Sequence, residues 1–126
     1  MPAHTPAEVD FLVIEALNAG DLEAALALYE RYATFVPEPG KPVSGHKAIR
    51  EALRGFLAIK PRLTVEVPQV LESGDLALLS SRWTLKGTAP DGSPIELAGQ
   101  GAEVVRRRKD GTWRFVIDNL FPGVGG

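Results

Sequence analysis

The sequence predicts an α+β fold in which three N-terminal helices cover one face of a cone-shaped, curved antiparallel sheet. We expect about four long strands and one short one, because strand-like alternation continues almost unbroken from Leu63 to Phe121. Three turn sequences divide this region, at 73–75, 90–92 and 109–111. Their glycines and aspartates allow the left-handed backbone that tight hairpins need. The region before it has helical periodicity, so the helices must pack on the sheet.

The first helix is predicted from a capping box. Thr5 and Glu8 can each satisfy a backbone N–H at its start, and Pro6 suits the first helical position. The helix ends at 18–20, where the sequence is Asn-Ala-Gly. Apolar residues cover so much of its circumference that we expect burial on two sides; they are Val9, Phe11, Leu12, Val13, Ile14 and Ala16.

Two further helices and a short strand complete the N-terminal half. Asp21 is expected to cap a short second helix, and Ser44 a third helix that ends before Pro61. Between them, residues 33–36 predict a brief strand, whereas 37–42 is too rich in proline for either regular element.

The four long strands alternate apolar and polar residues. Pro68 has no N–H to donate, so it indicates an edge or a bulge in the first of them. The run Gly99-Gln100-Gly101 predicts a bend or bulge that curls the sheet. In the last strand, Trp113, Phe115 and Ile117 alternate with Arg114, Val116 and Asp118, which predicts a single apolar face.

Composition limits the classes of function. The 126 residues predict one domain spanning 1–126, with loose termini at 1–4 and 122–126. A net charge of −2 does not favour a nucleic-acid or acidic-membrane surface, and we interpret the basic run 106–109 as protection of a sheet edge. The absence of cysteine excludes disulfides and thiolate chemistry. Because no signal peptide or bilayer-spanning stretch is apparent, a cytoplasmic location is expected.

Four stretches of the sequence, 18–23, 33–35, 44–50 and 110–119, carry a likeness to a known family. They resemble the superfamily of nuclear transport factor 2, ketosteroid isomerase, scytalone dehydratase and the polyketide cyclases. The sequence is most similar to its small SnoaL-like bacterial members. The resemblance implies a pocket between helices and sheet, a homodimer, and neither metal nor organic cofactor.

The resemblance also implies an incomplete set of steroid-isomerase residues. The phenol donor of those enzymes corresponds to Val13, and their general base to Pro37 or, with a one-residue shift, Glu38. Their protonated carboxylic acid corresponds to Glu103. The acid/base carboxylate that polyketide cyclases carry on the last strand corresponds to Asp118.

Asp118, Glu103 and Glu38 are therefore the catalytic candidates. Asp118 lies mid-strand among apolar residues, where an acid is costly unless it faces a pocket or a hydrogen-bond partner. Glu103 has apolar neighbours that would raise the pKa of a buried carboxyl, but it could equally face solvent in the ladder. Glu38 is either a residue of the pocket rim or a solvated carboxylate.

A ligand pocket would be lined by side chains from both halves of the chain. The candidates are Trp83, Tyr32, Phe35, Val13 and Val116. His4 and His46 are poorly placed for catalysis or zinc binding.

Three functions remain open. The first is binding of a small apolar or polycyclic molecule, with cofactor-free isomerisation, dehydration or cyclisation by acid/base chemistry. The second is a ligand-binding module without catalysis. The third is an association domain that forms a homodimer through the outer face of the sheet.

Overall fold

A computed structural model describes residues 2–124. Within them the chain forms three helices and a curved, unclosed six-stranded sheet, so the predicted α+β cone is confirmed. The strand order across the sheet is β2-β1-β6-β5-β4-β3. In chain order the elements are α1 Pro6–Asn18, α2 Leu22–Leu26, β1 Tyr29–Val36, β2 Val43–Ser44, α3 His46–Ala58, β3 Arg62–Ser73, β4 Leu76–Thr88, β5 Pro94–Arg107 and β6 Trp113–Asn119.

One pair of strands is not antiparallel as expected. β1 runs parallel to β6, and the other neighbouring strands of the sheet are antiparallel. A parallel pair needs a long crossover between its strands, which α3 and the β3–β5 meander provide. β1 is also longer than the strand predicted at 33–36, because α2 ends at Leu26 and the chain becomes extended at Tyr29.

The predicted N-cap is confirmed for α1 but is wrong for α3. The hydroxyl of Thr5 accepts a hydrogen bond from the Glu8 N–H, and the Glu8 carboxylate accepts one from the Thr5 N–H, which confirms the capping box. Ser44 does not cap α3. It lies in β2, where its hydroxyl is 2.9 Å from that of Thr34. The N-cap is Gly45, whose φ of +86° favours glycine.

The N-terminal segment contacts the sheet at Ala3. Ala3 is fully buried, and its carbonyl oxygen accepts a hydrogen bond of 2.9 Å from the N–H of Trp113. Ala3 thus pairs with Trp113 at the start of β6, where β1 has no partner for that residue. Of the termini predicted to be loose, residues 1, 125 and 126 lie outside the described part of the chain.

The positions of the bulges differ partly from those predicted. The β4–β5 ladder is continuous from the pair Leu76–Arg106 to the pair Thr88–Pro94, so of the bend or bulge predicted at 99–101 the bulge is wrong. The register shifts instead in β3 between Glu66 and Gln69, which confirms the irregularity predicted at Pro68.

A second register shift reverses the facing of residues in β6. Val104 pairs with Ile117 and Val105 pairs with Phe115, so Val116 is one extra residue in β6. A one-residue bulge breaks the alternation of a strand. Phe115 and Asp118 therefore both face inward and are buried, whereas Ile117 is exposed. The prediction that Ile117 shares a face with Trp113 and Phe115 is wrong for this reason.

The core lies between the helices and the inner face of the sheet. Trp113 and Phe115 of β6 are buried in it. Within residues 2–124, no helix is long and apolar enough to span a membrane. The largest fully buried apolar side chains are Tyr29, Phe115, Ile49, Leu53, Leu79, Val9 and Val105.

Candidate functional site

A partly open cavity of about 80 Å³ lies between the helices and the inner face of the sheet. Most of its wall is apolar, and α1, β1, α3 and the four strands β3 to β6 all contribute to it. Its lining residues are Asp10, Val13, Ile14, Leu17, Tyr29, Phe35, Pro37, Phe56, Leu63, Val65, Ser81, Trp83, Leu85, Leu97, Glu103, Asp118, Leu120 and Phe121.

Three carboxyl groups meet in this cavity. Asp10 comes from α1, Glu103 from β5 and Asp118 from β6, and each is at most 5% exposed. Glu103 and Asp118 are direct partners across the β5–β6 ladder, which places their side chains on the same face of the sheet. We call these three residues the acid cluster.

Tyr29 on β1 fixes the orientation of Asp118. Its hydroxyl donates a hydrogen bond of 2.6 Å to Oδ2 of Asp118. Burial and the neighbouring Asp118 carboxylate raise the pKa of Tyr29 well above its usual range, so the phenol keeps its proton and remains a donor.

Asp10 and Glu103 form the other part of the acid cluster. Ser81 donates a hydrogen bond of 3.0 Å to Oε2 of Glu103. Within the described chain, Oδ2 of Asp10 and Oε1 of Glu103 are buried and have no hydrogen-bond partner. Two ionised carboxylates cannot bond to each other, because neither has a hydrogen. When Glu103 is protonated, its O–H can donate to the Asp10 carboxylate, so the two carboxyls then share one hydrogen bond.

Burial makes all three acids harder to ionise. It raises the pKa of Asp118 to about 7, with a further increase from the charge of Asp10. It also raises the pKa of Glu103 strongly, and the hydrogen bond to Asp10 adds to this, so Glu103 is the acid that keeps its proton at neutral pH. The pKa of Asp10 is raised to about 6 by burial, although the bond from Glu103 lowers it.

Two glycines of β5 leave room for the side chains of the site. Gly99 lies opposite Trp83, and a Cβ at Gly99 would be 2.7 Å from the indole Cζ2. Gly101 lies opposite Ser81, and a Cβ there would be 2.5 Å from both the Ser81 hydroxyl and Oε2 of Glu103. The glycines in this stretch are therefore explained by close side-chain approach rather than by a bulge.

The structure brings five of the candidate residues to the cavity. Asp118 and Glu103 lie in the acid cluster, and Val13, Phe35 and Trp83 line the apolar wall. The indole N–H of Trp83 donates to the Leu120 carbonyl oxygen at 3.2 Å.

Three other candidates lie outside the cavity. Glu38 is exposed in its loop, 3.4 Å from the Lys41 ammonium, and Pro37 lines the cavity in its place. Tyr32 is 80% exposed. Val116 is the extra residue of the β6 bulge and does not line the cavity. None of these three side chains lines the cavity, in contrast to the expectation from the sequence.

Sequence reasoning missed Asp10 and the role of Tyr29. Asp10 precedes Val13, Ile14 and Leu17 by three, four and seven residues, so it lies on the same apolar face of α1. An acid on an apolar helix face was the signal that could have identified it. Tyr29 carried no comparable signal, because its contact with Asp118 joins residues 89 positions apart in the sequence.

A curved, open sheet wrapped around three helices, with a cavity at its centre, defines the cone-shaped proteins of the nuclear transport factor 2-like and ketosteroid isomerase-like class. Within that class the chain belongs to the SnoaL-like domain family, whose profile matches residues 12–116. No protein of curated function matches the sequence.

Solved structures share the fold at low sequence identity. A ketosteroid isomerase-like protein from Erwinia carotovora atroseptica has a TM-score of 0.78 and 18% identity, covering 92% of this chain and 94% of its own. A proposed dehydratase of the nuclear transport factor 2-like family from Streptomyces avermitilis has a TM-score of 0.77 and 18% identity, covering 90% of each chain. A proposed association domain of calcium/calmodulin-dependent protein kinase type II from Thiobacillus denitrificans has a TM-score of 0.76 and 22% identity, covering 94% and 95%.

Replacing Gly99 by alanine should destabilise the protein, because the new methyl group meets the rigid indole of Trp83 at 2.7 Å. Overpacking of this kind costs about 1–3 kcal/mol in the free energy of unfolding, measurable by urea denaturation. Gly55→Ala is the matched control. A Cβ at Gly55 meets nothing within 4 Å, and alanine in a helix interior should add about 0.5–1 kcal/mol. Equal stability of the two variants would contradict the close packing at Trp83.

The stability of the protein should fall as the pH rises from about 4 to about 7. In this range the folded protein binds the Asp118 proton more tightly than the unfolded chain, because the pKa rises from 3.8 to about 7 on folding. Asp118→Asn should flatten this decrease by roughly 2–4 kcal/mol. Urea denaturation across the pH range measures it, with Glu72→Gln on the exposed part of β3 as control. A pH profile that is the same in Asp118→Asn and the parent protein would show that Asp118 ionises normally.

Proposed function

We propose that the cavity binds a small molecule with a largely apolar body and that Asp118 exchanges a proton with it. The observation that supports this most directly is the acid cluster. Three carboxyls and a phenol lie at one end of a cavity whose other lining residues are almost all apolar. Buried acids are costly to fold, so their concentration at a cavity is more typical of a reactive site than of a structural one.

Asp118 has the properties of a general acid or base. With a pKa near 7, it is present in both protonation states at neutral pH, which is the condition under which proton transfer is most effective. Tyr29 occupies Oδ2 and so directs Oδ1 toward the bound molecule. In this proposal Asp118 removes a proton from a carbon or hydroxyl of the substrate and returns it at a second position.

Glu103 would serve as the hydrogen-bond donor. Its pKa is raised by burial and by Asp10, so it is neutral while Asp118 ionises. A neutral carboxylic acid whose one O–H turns from Asp10 to the substrate can donate to an oxygen on which negative charge develops. An acid–base pair with separated pKa values supports isomerisation, dehydration or aldol-type cyclisation.

The size of the cavity favours a small substrate. Its volume of about 80 Å³ is well below the roughly 300–1,000 Å³ of pockets that enclose drug-sized ligands. In this conformation the cavity suits an acyclic or single-ring molecule better than a polycyclic one.

Asp118→Asn should abolish proton transfer without unfolding the protein. Conversion of cyclohex-3-enone to its conjugated isomer, followed by ultraviolet absorption, is a suitable first assay because the ring is small and only one proton moves. The expected loss in rate is about 10²–10⁴-fold. Glu72→Gln should retain the parent rate. A thermal melt of each variant completes the test: if Asp118→Asn melts much lower and still turns over, Asp118 has a structural role. Binding of the ketone by the parent without turnover would instead indicate a ligand-binding module.

A second function, homodimer formation as in an association domain, is favoured by the outer face of the sheet. Leu71, Leu78, Val104 and Ile117 are successive partners across β3, β4, β5 and β6, so they form one apolar row. Leu71, Leu78 and Ile117 are 53%, 44% and 40% exposed. A contiguous exposed row of this kind is typical of a protein–protein interface.

Leu78→Asp should prevent dimerisation, since it places a charge at the middle of this apolar row. Sedimentation at tens of micromolar should give twice the 13.5 kDa of one chain for the parent and 13.5 kDa for the variant. Val124→Asp, at an apolar residue that is 55% exposed and is not part of the row, is the control and should remain dimeric. A monomeric parent protein would rule out this interface.

A further inference from the structure

We propose that Phe121 sets the size of the molecule that this cavity admits, because its ring closes the part of the cavity that lies away from the acid cluster. The inference rests on the proposed function, since it takes the cavity to be a ligand site. It adds the residue that determines specificity. With Phe121 in place the cavity takes an acyclic or one-ring molecule, and without it the cavity takes a molecule of two fused rings.

The acid cluster and Trp83 lie at different heights along β5. The residues of β5 that face the cavity follow one another as Leu97, Gly99, Gly101 and Glu103, because successive side chains of a strand alternate between its faces. Four residues separate Glu103 from Gly99, which is about 13 Å at the usual rise of a strand. Trp83 pairs with Gly99, and its indole lies over that glycine. The indole therefore forms the part of the wall away from Glu103.

The sheet is incomplete beside this part of the cavity. The last ladder pair of β6 with β5 joins Asn119 to Ala102. Within residues 2–124, the stretch of β5 from Pro94 to Gly101 therefore has no partner strand on that side. The chain continues beyond β6 as Leu120 and Phe121, and both residues line the cavity. Their side chains thus form the wall where β6 has ended.

Three hydrogen bonds hold the segment that follows β6. The indole N–H of Trp83 donates to the Leu120 carbonyl oxygen at 3.2 Å. The Phe121 N–H donates to Oδ1 of Asn119 at 3.0 Å, and the Phe121 carbonyl oxygen accepts from the Val124 N–H at 3.2 Å. These contacts fix the backbone of Phe121 and so the position from which its ring extends.

The ring of Phe121 meets Trp83 edge to face. The ring centroids are 5.7 Å apart and the planes are 84° apart, an arrangement that aromatic pairs favour. Trp83 has no free space toward β5, because a Cβ at Gly99 would be 2.7 Å from its Cζ2. Phe121 is only partly buried, so its ring stands between the cavity and solvent. The two aromatic rings together close this part of the cavity.

The volume of the cavity agrees with this role of Phe121. At about 80 Å³ the cavity has no room for a second ring. Phe121→Ala removes one phenyl ring from the wall, and the space that it opens is that of one six-membered ring. Because a protein relaxes only partly around a large-to-small substitution, most of this space should remain available to a ligand.

The test compares cyclohexanone with 2-decalone, which carries the same carbonyl group and a second fused ring, by isothermal titration calorimetry. In the parent protein, 2-decalone should bind no more tightly than cyclohexanone. In Phe121→Ala, 2-decalone should bind about 10- to 200-fold more tightly than in the parent, the range that as little as one methylene contributes in a hydrophobic pocket. The affinity for cyclohexanone should change much less.

Two further variants control the comparison. Phe11→Ala removes the same ring from α1, where Phe11 is 46% exposed and does not line the cavity, so it should leave the binding of both ketones unchanged. Phe121→Trp places a larger ring at the same position and should weaken the binding of cyclohexanone. Thermal melts of all variants identify any loss of binding that is caused by unfolding.

The outcomes separate this inference from the proposed function. If 2-decalone binds the parent more tightly than cyclohexanone, or if Phe121→Ala does not improve its binding, the inference is wrong and the cavity remains a ligand site. If Phe121→Ala unfolds, cyclohexanone binding by Phe121→Trp that equals that of the parent also overturns it. Binding of 2-decalone by Phe121→Ala alone supports it. If neither ketone binds the parent or either Phe121 variant, the cavity does not take such molecules, and the proposed function fails with the inference.

Discussion

Val116 is an extra residue between two ladder pairs of β5 and β6, and the site depends on it. Because of this bulge, Phe115 and Asp118 both face the helices although they are three residues apart. Phe115 packs in the core beside Tyr29, with ring centroids 4.8 Å apart, and Asp118 accepts a hydrogen bond from the Tyr29 hydroxyl. Strict alternation would have placed Ile117 in the cavity and Asp118 on the outer face. This one bulge therefore places the Asp118 carboxyl in the cavity and the apolar side chain of Ile117 on the outer face of the sheet.

The burial of three acids has a free-energy cost that the local structure only partly offsets. Tyr29 and Ser81 each donate one hydrogen bond to the cluster. The rest of the cost is reduced by protonation, because the pKa of every member of the cluster is raised. A carboxyl that keeps its proton avoids the cost of a buried charge. The same property makes the group able to exchange protons near neutral pH. The proposed proton exchange would therefore depend on the same buried groups that lower the stability of the fold.

The fold supplies a cavity but does not select its chemistry. Structures of this class with 18–22% identity include proteins described as a ketosteroid isomerase-like protein, a proposed dehydratase and a proposed association domain. One fold can carry several functions, so the likeness in fold does not identify the function of this chain. The resemblance matches the isomerase phenol to Val13, whereas the phenol that contacts the acid cluster in this structure is that of Tyr29 on β1. The function of this chain must therefore be tested by changing the residues that line the cavity.

The sequence by itself determined the class of fold, most of the helices and hairpins, and two of the three acids. The capping box at Thr5, the turns at 73–75, 90–92 and 109–111 and the irregularity at Pro68 are local, so short-range rules predict them. Only the tertiary structure decided the facing of Asp118, the inclusion of Asp10 and Tyr29, and the exclusion of Glu38, Tyr32 and Val116. The physical reason is that facing depends on register, and register is set by pairing between strands far apart in sequence.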